Sequence, residues 1–331
     1  MKKIFIHKYN DIISVENLLY AWKEFKNGKN KKKDVQEFEI SLMSNIISLH
    51  NDLKTKKYIH GAYQHFVICD PKRRDIHKAT VRDRLLHHAL YRKMYPFFDK
   101  IFIADSYSCR VSKGTHRAMN RFRDFAYKVS KNHTRATFVL KCDIRKFFAS
   151  IDHKILLQIL KDRIEDEDII WLLHQVINSF YSTKVGVGLP LGNLTSQLLV
   201  NIYMNEFDQF VKHKLRVKYY VRYADDFVVL SENKKYLEGV LKEMTQFLEE
   251  KLRLQMHPDK VFIKTFAGGV DFLGFIHFPA HRILRTVTKR RMLRKVNEKS
   301  VASYLGLLSH GNTKKLQEKV LEYGNKIRYD R

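Results

Sequence analysis

The sequence predicts an α+β fold, in which an antiparallel sheet carries helices on one face. Three observations lead to this prediction: a β-rich run at 137–142, two β-rich runs at 219–230 joined by a short turn, and two more runs after residue 260. Helical patterns separate these runs. The resulting order of strand, helix, hairpin, helix and strand is typical of an antiparallel sheet, whereas the regular spacing of a parallel sheet is absent from the sequence.

The first third of the chain is predicted to be largely helical. Ser14 is a suitable N-cap for a helix that ends near Gly28, and apolar residues at helical spacing between Phe38 and Leu53 predict a second helix. The elements that follow are a strand at 65–69, a basic turn at 71–74, a helix from a Thr80/Asp83 capping box to about Tyr95, and a helix after Thr115.

The remaining elements surround the predicted sheet. In the hairpin, Ala224-Asp225-Asp226 form the tip between the two strands. The other elements are a helix from about Asp152 to Ile164, a long helix at 195–216, a helix from about Lys235 to Leu252, strands at 261–266 and 270–277 on either side of Gly268-Gly269, and basic helices after residue 286.

The chain has 62 Lys and Arg residues against 35 Asp and Glu residues, so its formal net charge is +27. Like charges repel, so such an excess does not help a compact chain to fold. It becomes favourable with a polyanionic partner, because each phosphate neutralised by Lys or Arg releases counterions. Hydrophobic residues make up 44% of the chain, which is enough for a core and excludes a disordered basic tail. We therefore expect a folded protein that binds nucleic acid.

The sequence gives no sign of a membrane or secreted protein. No apolar run approaches the roughly 20 residues of a membrane span, and the first residues lack a signal-peptide pattern. Cys69, Cys109 and Cys142 lie far apart without CxxC spacing, and the histidines form no zinc-binding array. We expect a cytoplasmic protein with reduced cysteines and no structural zinc.

Asp225 and Asp226, at the tip of the predicted hairpin, are the clearest chemical signal. Two adjacent carboxylates repel each other, and they become favourable when a divalent cation lies between them. Mg²⁺ prefers hard oxygen ligands, and two such ions can activate an attacking oxygen and stabilise a leaving one. Asp143 ends another β-rich run and is the expected third ligand, because the end of that strand lies beside the hairpin tip in an antiparallel sheet. The alternative is a polar turn without a function.

The sequence resembles reverse transcriptases from about residue 60 to 290, because six blocks occur in the order of that family. The blocks are Pro71-Lys72-Arg73-Arg74 with Thr80-Val81-Arg82-Asp83-Arg84, Ser106-Tyr107-Ser108-Cys109-Arg110 with Lys113-Gly114-Thr115-His116, Asp143-Ile144-Arg145-Lys146-Phe147-Phe148, Tyr223-Ala224-Asp225-Asp226, His257-Pro258-Asp259-Lys260, and Phe272-Leu273-Gly274-Phe275.

The resemblance implies an RNA-directed DNA polymerase that copies an RNA template into cDNA from deoxynucleoside triphosphates. It implies two Mg²⁺ ions per site, for which Mn²⁺ can substitute, and a bacterial or phage origin. It also implies a right-hand architecture. The expected parts are helical fingers at 1–80, an antiparallel, ferredoxin-like palm at 81–285 with a finger-side insertion near 151–186, and a small basic helical thumb at 286–331.

The resemblance also assigns roles to single residues. The backbone carbonyl of Ile144 would add a metal ligand to the three aspartates, Phe148 would exclude a ribose 2′-hydroxyl, and Lys260 would protonate the departing pyrophosphate. A core phenylalanine and a surface lysine are the alternatives for the last two. The other nucleotide-binding candidates are Lys72, Arg74, Leu191 and Gln197, and the nucleic-acid-binding candidates are Arg110, Tyr223, Lys289, Arg290 and Arg294. The alternative for Leu191 is a packing residue, and that for the three basic residues after residue 286 is a solvated helix face. Lys72 and Arg74 suit a triphosphate because cations neutralise its charge, although a solvated turn is the alternative.

One segment favours a particular branch of the family. The run Leu189-Pro190-Leu191-Gly192, followed by Ser196-Gln197, resembles the reverse transcriptases of diversity-generating retroelements more than those of group II introns. That branch implies frequent errors opposite template adenines, a small basic accessory protein and a structured retroelement RNA as partners. The alternatives are a bacterial reverse transcriptase of the retron or phage-defence type and a non-catalytic RNA-binding protein.

Overall fold

The computed structural model describes residues 3–69 and 72–329, with side chains up to Tyr323. Its α-helices are α1 (Tyr9–Ile13), α2 (Val15–Lys26), α3 (Lys33–Ile40), α4 (Leu42–Lys54), α5 (Val81–Asp99), α6 (Thr115–Val129), α7 (His153–Lys161), α8 (Glu167–Asn178), α9 (Leu194–Gln209), α10 (Lys234–Leu252), α11 (Thr286–Lys295), α12 (Glu298–Leu308) and α13 (Lys314–Tyr329). Its strands are β1 (Gln64–Ile68), β2 (Arg74–Lys78), β3 (Phe138–Asp143), β4 (Tyr220–Tyr223), β5 (Asp226–Ser231), β6 (Phe262–Thr265), β7 (Val270–Phe272), β8 (Phe275–His277) and β9 (Arg282–Leu284).

The chain divides into two compact units. Unit 1 comprises the residues up to Ala104, Ile144–Lys214 and Met244–Met256. Unit 2 comprises Asp105–Asp143, Leu215–Glu243 and the residues from His257 onward.

Unit 1 is mainly helical, and α5 packs against both α2 and α9. Ser14 caps α2 as predicted, because its hydroxyl accepts a hydrogen bond from the backbone N–H of Asn17 (3.2 Å). Leu18 and Phe25 of α2 and Leu85 of α5 are almost fully buried, so burial of apolar side chains holds these helices together. Outside the helices, β1 and β2 form a two-stranded antiparallel hairpin.

Unit 2 contains a four-stranded antiparallel sheet in the order β4-β5-β3-β6. Its core includes Ala118 and Phe122 of α6 together with Val139 of β3 and Val228 of β5, which are all buried. A second antiparallel sheet, β7-β8-β9, follows in the chain. The helices α11, α12 and α13 share a separate apolar cluster that includes Met292.

The predicted α+β fold class is confirmed, since helices accompany antiparallel sheets in this chain. The predicted helix between Phe38 and Leu53 is wrong in one respect, because the chain breaks at Ser41 and forms α3 and α4. Ser41 has φ −114° and ψ 38°, outside the helical region, and serine favours such positions because its hydroxyl competes for backbone groups.

The predictions of one strand and one turn also need correction. The predicted strand at 270–277 is two strands, because Leu273 and Gly274 have φ of 52° and 90° and turn the chain back on itself. The predicted basic turn at 71–74 ends in strand β2, which pairs with β1; Pro71 of that turn lies outside the described residues. The predicted boundaries of fingers, palm and thumb stay a prediction.

Smaller differences concern two helices. Thr80 caps α5 as predicted by accepting from the backbone N–H of Asp83 (3.2 Å), but the helix continues past Tyr95 to Asp99. The helix predicted at 195–216 is α9, which passes at Phe210 into a π-helical turn. Within the described part of the chain, no helix is both long and apolar enough to span a membrane.

Candidate active site

The hairpin formed by β4 and β5 turns through Ala224 and Asp225, and Tyr223 pairs with Asp226 across it. Ala224 has φ 55°, in the left-handed region that side chains with a Cβ rarely adopt. The two aspartates predicted as metal ligands therefore stand at a tight turn, where the strand direction reverses.

Strand β3 lies beside β5, and Asp143 is directly opposite Asp226 in the register. Directly opposed residues of antiparallel strands have side chains on the same face and only about 5 Å apart. The sheet therefore places the carboxylate-bearing residue at the end of β3 beside the hairpin that carries Asp225 and Asp226.

Two lysines compensate this concentration of negative charge. The ammonium group of Lys260 lies 2.8 Å from Oδ1 of Asp143, and that of Lys141 lies 3.4 Å from Oδ2 of Asp226. Lys141 is buried and stands two residues before Asp143, on the same face of β3. The carboxylates are thus held by cations of the chain itself.

Burial raises the pKa of Asp226 to about 7, and the neighbouring carboxylates of Asp225 and Asp143 add to the rise, whereas Lys141 opposes it. Oδ1 of Asp226 is buried and lacks a hydrogen-bond partner among the described residues. An ionised carboxylate with a bare oxygen in such a place is costly unless a cation reaches it.

The donor set fits a hard divalent cation. It consists of carboxylate oxygens on neighbouring strands, and one of these oxygens has an unmet requirement for a partner. As the side chains stand, no three acidic, imidazole or thiol groups converge on one point anywhere in the described part of the chain. Instead, Asp143 forms an ion pair with Lys260, and Asp226 forms one with Lys141.

Several predicted nucleotide-binding residues lie in unit 1, where backbone hydrogen bonds connect them. The carbonyl of Phe148 accepts from the N–H of Leu189 (2.8 Å), and that of Leu191 accepts from the N–H of His77 in β2 (3.1 Å). The side-chain amide of Asn193 donates to the carbonyl of His77 (2.8 Å). We call residues 189–193 the nucleotide loop, after the nucleotide-binding role predicted for Leu191; hydrogen bonds join this loop to Phe148 on one side and to β2 on the other.

Gly192 is required in the nucleotide loop for two reasons. Its φ is 107°, in the region that favours glycine. A Cβ at this position would also lie 2.9 Å from Cγ2 of Ile76 in β2, which is too close for two carbon atoms. The close approach of the loop to β2 thus depends on the missing side chain.

The other candidates of unit 1 are placed as follows. Phe148 is half-buried, whereas its neighbour Phe147 is buried. Lys72 and Arg74 are exposed, Gln197 lies in the first turns of α9, and buried Ile144 forms an isolated antiparallel bridge with Met256.

The nucleic-acid-binding candidates lie in unit 2 and are spread over several elements. Nη1 of Arg110 donates to the carbonyl of Ser106 (3.0 Å), and the hydroxyl of Tyr223 accepts from Oγ1 of Thr115 (3.1 Å). Lys289, Arg290 and Arg294 are exposed on α11.

Residues 68–277 match the family described as reverse transcriptase (RNA-dependent DNA polymerase), and this is more than half of the chain. The chain belongs to the reverse transcriptase family. The matched region contains all three aspartates of the site, Lys260 and the nucleotide loop.

Known proteins are similar to this reverse transcriptase over part of their length. Protein YkfC of Escherichia coli (strain K12) is 27% identical over 256 residues, which are 66% of this chain and 65% of YkfC. The group II intron-encoded protein LtrA of Lactococcus lactis subsp. cremoris is 21% identical over 271 residues, 62% of this chain and 44% of LtrA. The putative COX1/OXI3 intron 2 protein of Saccharomyces cerevisiae is 23% identical over 207 residues, 44% of this chain and 24% of that protein.

The chain therefore spans less than two thirds of the length of these relatives. Two of these relatives, LtrA and the yeast protein, are named as proteins of introns. The narrower resemblance to the diversity-generating branch stays a prediction.

Sequence analysis did not single out two buried residues near the candidate site, Lys141 and Arg222. Lys141 could have been found, because alternate residues of a strand share a face and Lys141 stands two before Asp143. Arg222 lies one residue before Tyr223 and is fully buried in β4. Its Nη2 donates to Oγ of Ser106, which lies 116 positions away in the chain, so local sequence gives no signal for this contact.

Proposed function

We propose that this chain is an RNA-directed DNA polymerase that extends a primer on an RNA template with deoxynucleoside triphosphates. The observation that carries the proposal is the pairing of Asp143 with Asp226 across β3 and β5, next to Asp225 at the turn. Binding of RNA alone does not need opposed carboxylates, which repel both each other and the phosphates of the ligand. A catalytic role explains why the chain tolerates them.

In this proposal Asp143, Asp225, Asp226 and the carbonyl of Ile144 would hold Mg²⁺. When bound, Mg²⁺ supplies Lewis-acid stabilisation of the attacking and leaving oxygens. The primer 3′-hydroxyl gives its proton to solvent as its oxygen forms a bond to the α-phosphorus of the incoming nucleotide, while the bond from that phosphorus to the bridging oxygen breaks and pyrophosphate leaves. The ammonium of Lys260, now 2.8 Å from Asp143, carries a proton that the departing pyrophosphate can take.

The groups of unit 1 would select the nucleotide. Lys72 and Arg74 are exposed cations suited to the triphosphate, and Gln197 offers an amide near the nucleotide loop. Phe148 is only half-buried, which suits a ring that blocks a 2′-hydroxyl. We also propose the division of the chain into fingers, palm and thumb. In this division α11 binds the phosphates of the template–product duplex.

We further propose that the polymerase makes frequent errors opposite template adenines, as in diversity-generating retroelements. The support is Leu191, whose carbonyl is already bonded to His77 and whose side chain has neither donor nor acceptor. Such a side chain cannot fix the pose of a nucleotide by hydrogen bonding. A small basic accessory protein and a structured RNA are the partners that this branch implies.

Primer extension on a defined RNA template tests the activity, with Mg²⁺ present or removed by a chelator. We expect cDNA synthesis that requires Mg²⁺ or Mn²⁺. Salt-sensitive binding of the same RNA without any extension, in either metal, would favour the RNA-binding alternative. Sequencing the cDNA tests the branch: errors no commoner at adenine than at other bases would favour another type of bacterial reverse transcriptase.

A further inference from the structure

Arg222 is a charged side chain in the interior of unit 2. It lies in β4 one residue before Tyr223 and is 0% exposed. A buried guanidinium is costly unless its donors are satisfied, and an apolar residue of similar volume would ordinarily be cheaper. The contacts of Arg222 therefore indicate the function of this buried charge.

The guanidinium of Arg222 reaches the turn that carries the metal-binding aspartates. Its Nη1 donates to the carbonyl oxygen of Ala224 (3.1 Å), and its Nη2 donates to Oγ of Ser106 (3.1 Å). The fork of the guanidinium thus joins two acceptors in a fixed geometry.

The backbone of Arg222 is held by the same segment. Its N–H donates to the carbonyl of Asp105 (3.0 Å), and its carbonyl accepts from the N–H of Tyr107 (3.0 Å). Ser106 and Arg222 form a parallel bridge between these two bonds. The segment 105–107 therefore fixes the backbone position of Arg222, from which its side chain extends to the turn.

The contact with Ala224 bears directly on Asp225. The carbonyl of Ala224 and the amide of Asp225 belong to one planar peptide group, so holding the oxygen fixes the plane from which Asp225 leaves the turn. Ala224 is also in the left-handed region, with φ 55°, and a residue with a Cβ stays there only when its surroundings hold it.

We propose that Arg222, oriented by Ser106, is a positioning residue that holds the Ala224 turn in its left-handed conformation and so presents Asp225 and Asp226 to the metal ions. The inference rests on the proposed function, because a role in presenting metal ligands requires that these aspartates bind metal. Under this inference, the sequence block from Ser106 to Arg110 supports the tip of the hairpin.

The test measures binding of Mn²⁺ to the full chain by electron paramagnetic resonance, together with primer extension and thermal unfolding. In Arg222→Met we expect the Mn²⁺ affinity to fall about 10- to 100-fold, as for other residues that orient metal ligands. We expect kcat to fall about 100-fold while KM for the nucleotide changes little, since a misplaced ligand affects the reacting geometry. Arg222→Lys should lie between wild type and Arg222→Met.

A second change separates positioning from general damage. Ala224→Gly removes the strain of the left-handed turn, so in the Arg222→Met background it should restore Mn²⁺ affinity by about tenfold. The matched control is Arg282→Met, which also removes a buried arginine with a bond to a backbone carbonyl, that of His310. It should lower the unfolding temperature and leave Mn²⁺ affinity unchanged.

The outcomes are distinct. A wild-type chain that neither binds Mn²⁺ nor extends a primer contradicts the proposed function. A wild-type chain that does both, with Arg222→Met folded and equal to it in Mn²⁺ affinity, overturns the inference alone. If Arg222→Met does not fold, Ser106→Ala decides, because loss of the Nη2 acceptor should lower Mn²⁺ affinity severalfold and an unchanged affinity overturns the inference.

Discussion

The carboxylate site of unit 2 and the nucleotide loop of unit 1 are held in different ways. In unit 2, the strand register places Asp143 opposite Asp226, and charged side chains then set the properties of the site: each of the two aspartates contacts a lysine, and burial raises the pKa of Asp226. In unit 1, backbone hydrogen bonds fix Phe148 and Leu191, whose apolar side chains cannot form such bonds. A site set by charge should control the rate for every nucleotide, whereas a site set by backbone shape should control which nucleotide is chosen.

The largest effect should come from the carboxylates. We expect Asp225→Asn to lower the rate of extension by about 10³-fold or more, because the charge of a proposed metal ligand and several kcal/mol of transition-state stabilisation are lost. RNA affinity should stay close to wild type, since the basic surfaces are unchanged. If Asp225→Asn extends the primer at the wild-type rate, the proposal that the carboxylates of unit 2 catalyse the reaction is wrong.

The next effect concerns sugar selection. Phe148→Ala should raise incorporation of ribonucleotides relative to deoxyribonucleotides by roughly 10- to 100-fold, because it removes the ring that is proposed to exclude the 2′-hydroxyl. Competition between the two kinds of triphosphate on one template measures the ratio, with Phe148→Tyr as the control that keeps the ring. If Phe148→Ala rejects ribonucleotides as well as wild type does, the sugar is selected elsewhere.

A backbone change should affect unit 1 alone. We expect Gly192→Ala to lower the free energy of unfolding by about 2 kcal/mol, because φ is positive and the new Cβ would meet Ile76. Gly239→Ala in α10 is the control. Apart from the backbone of α10 itself, no atom of the described residues lies within 4 Å of the position that its Cβ would occupy. This control should be neutral or slightly stabilising. Mn²⁺ affinity should be unchanged in both variants, and a loss of it in Gly192→Ala would argue against separate control of the two sites.

The smallest effect is expected for Leu191→Gln. A side-chain amide can orient the nucleotide through a hydrogen bond of about 1 kcal/mol, so errors opposite adenine should fall severalfold to tenfold. Sequencing cDNA made by both proteins on one RNA measures this. If errors at adenine are frequent but equal in the two proteins, the branch assignment survives and the physical explanation from Leu191 fails.

The sequence predicted the sheet better than it predicted the contacts around the site. The hairpin and the strand ending at Asp143 each show a local pattern of β-rich residues, and their pairing follows from an antiparallel sheet. Strand β2 was missed because all of its residues from Arg74 to Lys78 except Ile76 are polar or charged, so the strand carries no apolar alternation. It is a strand because it pairs with β1 and is bonded to the nucleotide loop.

The supporting contacts of the site depend on residues far apart in the chain. Arg222 meets Ser106 across 116 positions, and Lys260 meets Asp143 across 117. No periodicity or local motif encodes such pairs. Sequence patterns therefore predicted the carboxylates, which stand at the ends of recognisable strands, and missed Arg222, whose role depends on tertiary packing.

Single-turnover incorporation of each of the four deoxynucleotides opposite one template adenine tests most directly whether unit 2 sets the rate and unit 1 the choice. The two variants to compare are Lys260→Met and Leu191→Gln. We expect Lys260→Met to lower all four rates by one common factor, about 100-fold for loss of a general acid, and to leave their ratios unchanged. We expect Leu191→Gln to change the ratios while the rate for the correct nucleotide stays within about twofold. Altered ratios in Lys260→Met, or a uniform loss of rate in Leu191→Gln, would contradict this division of roles.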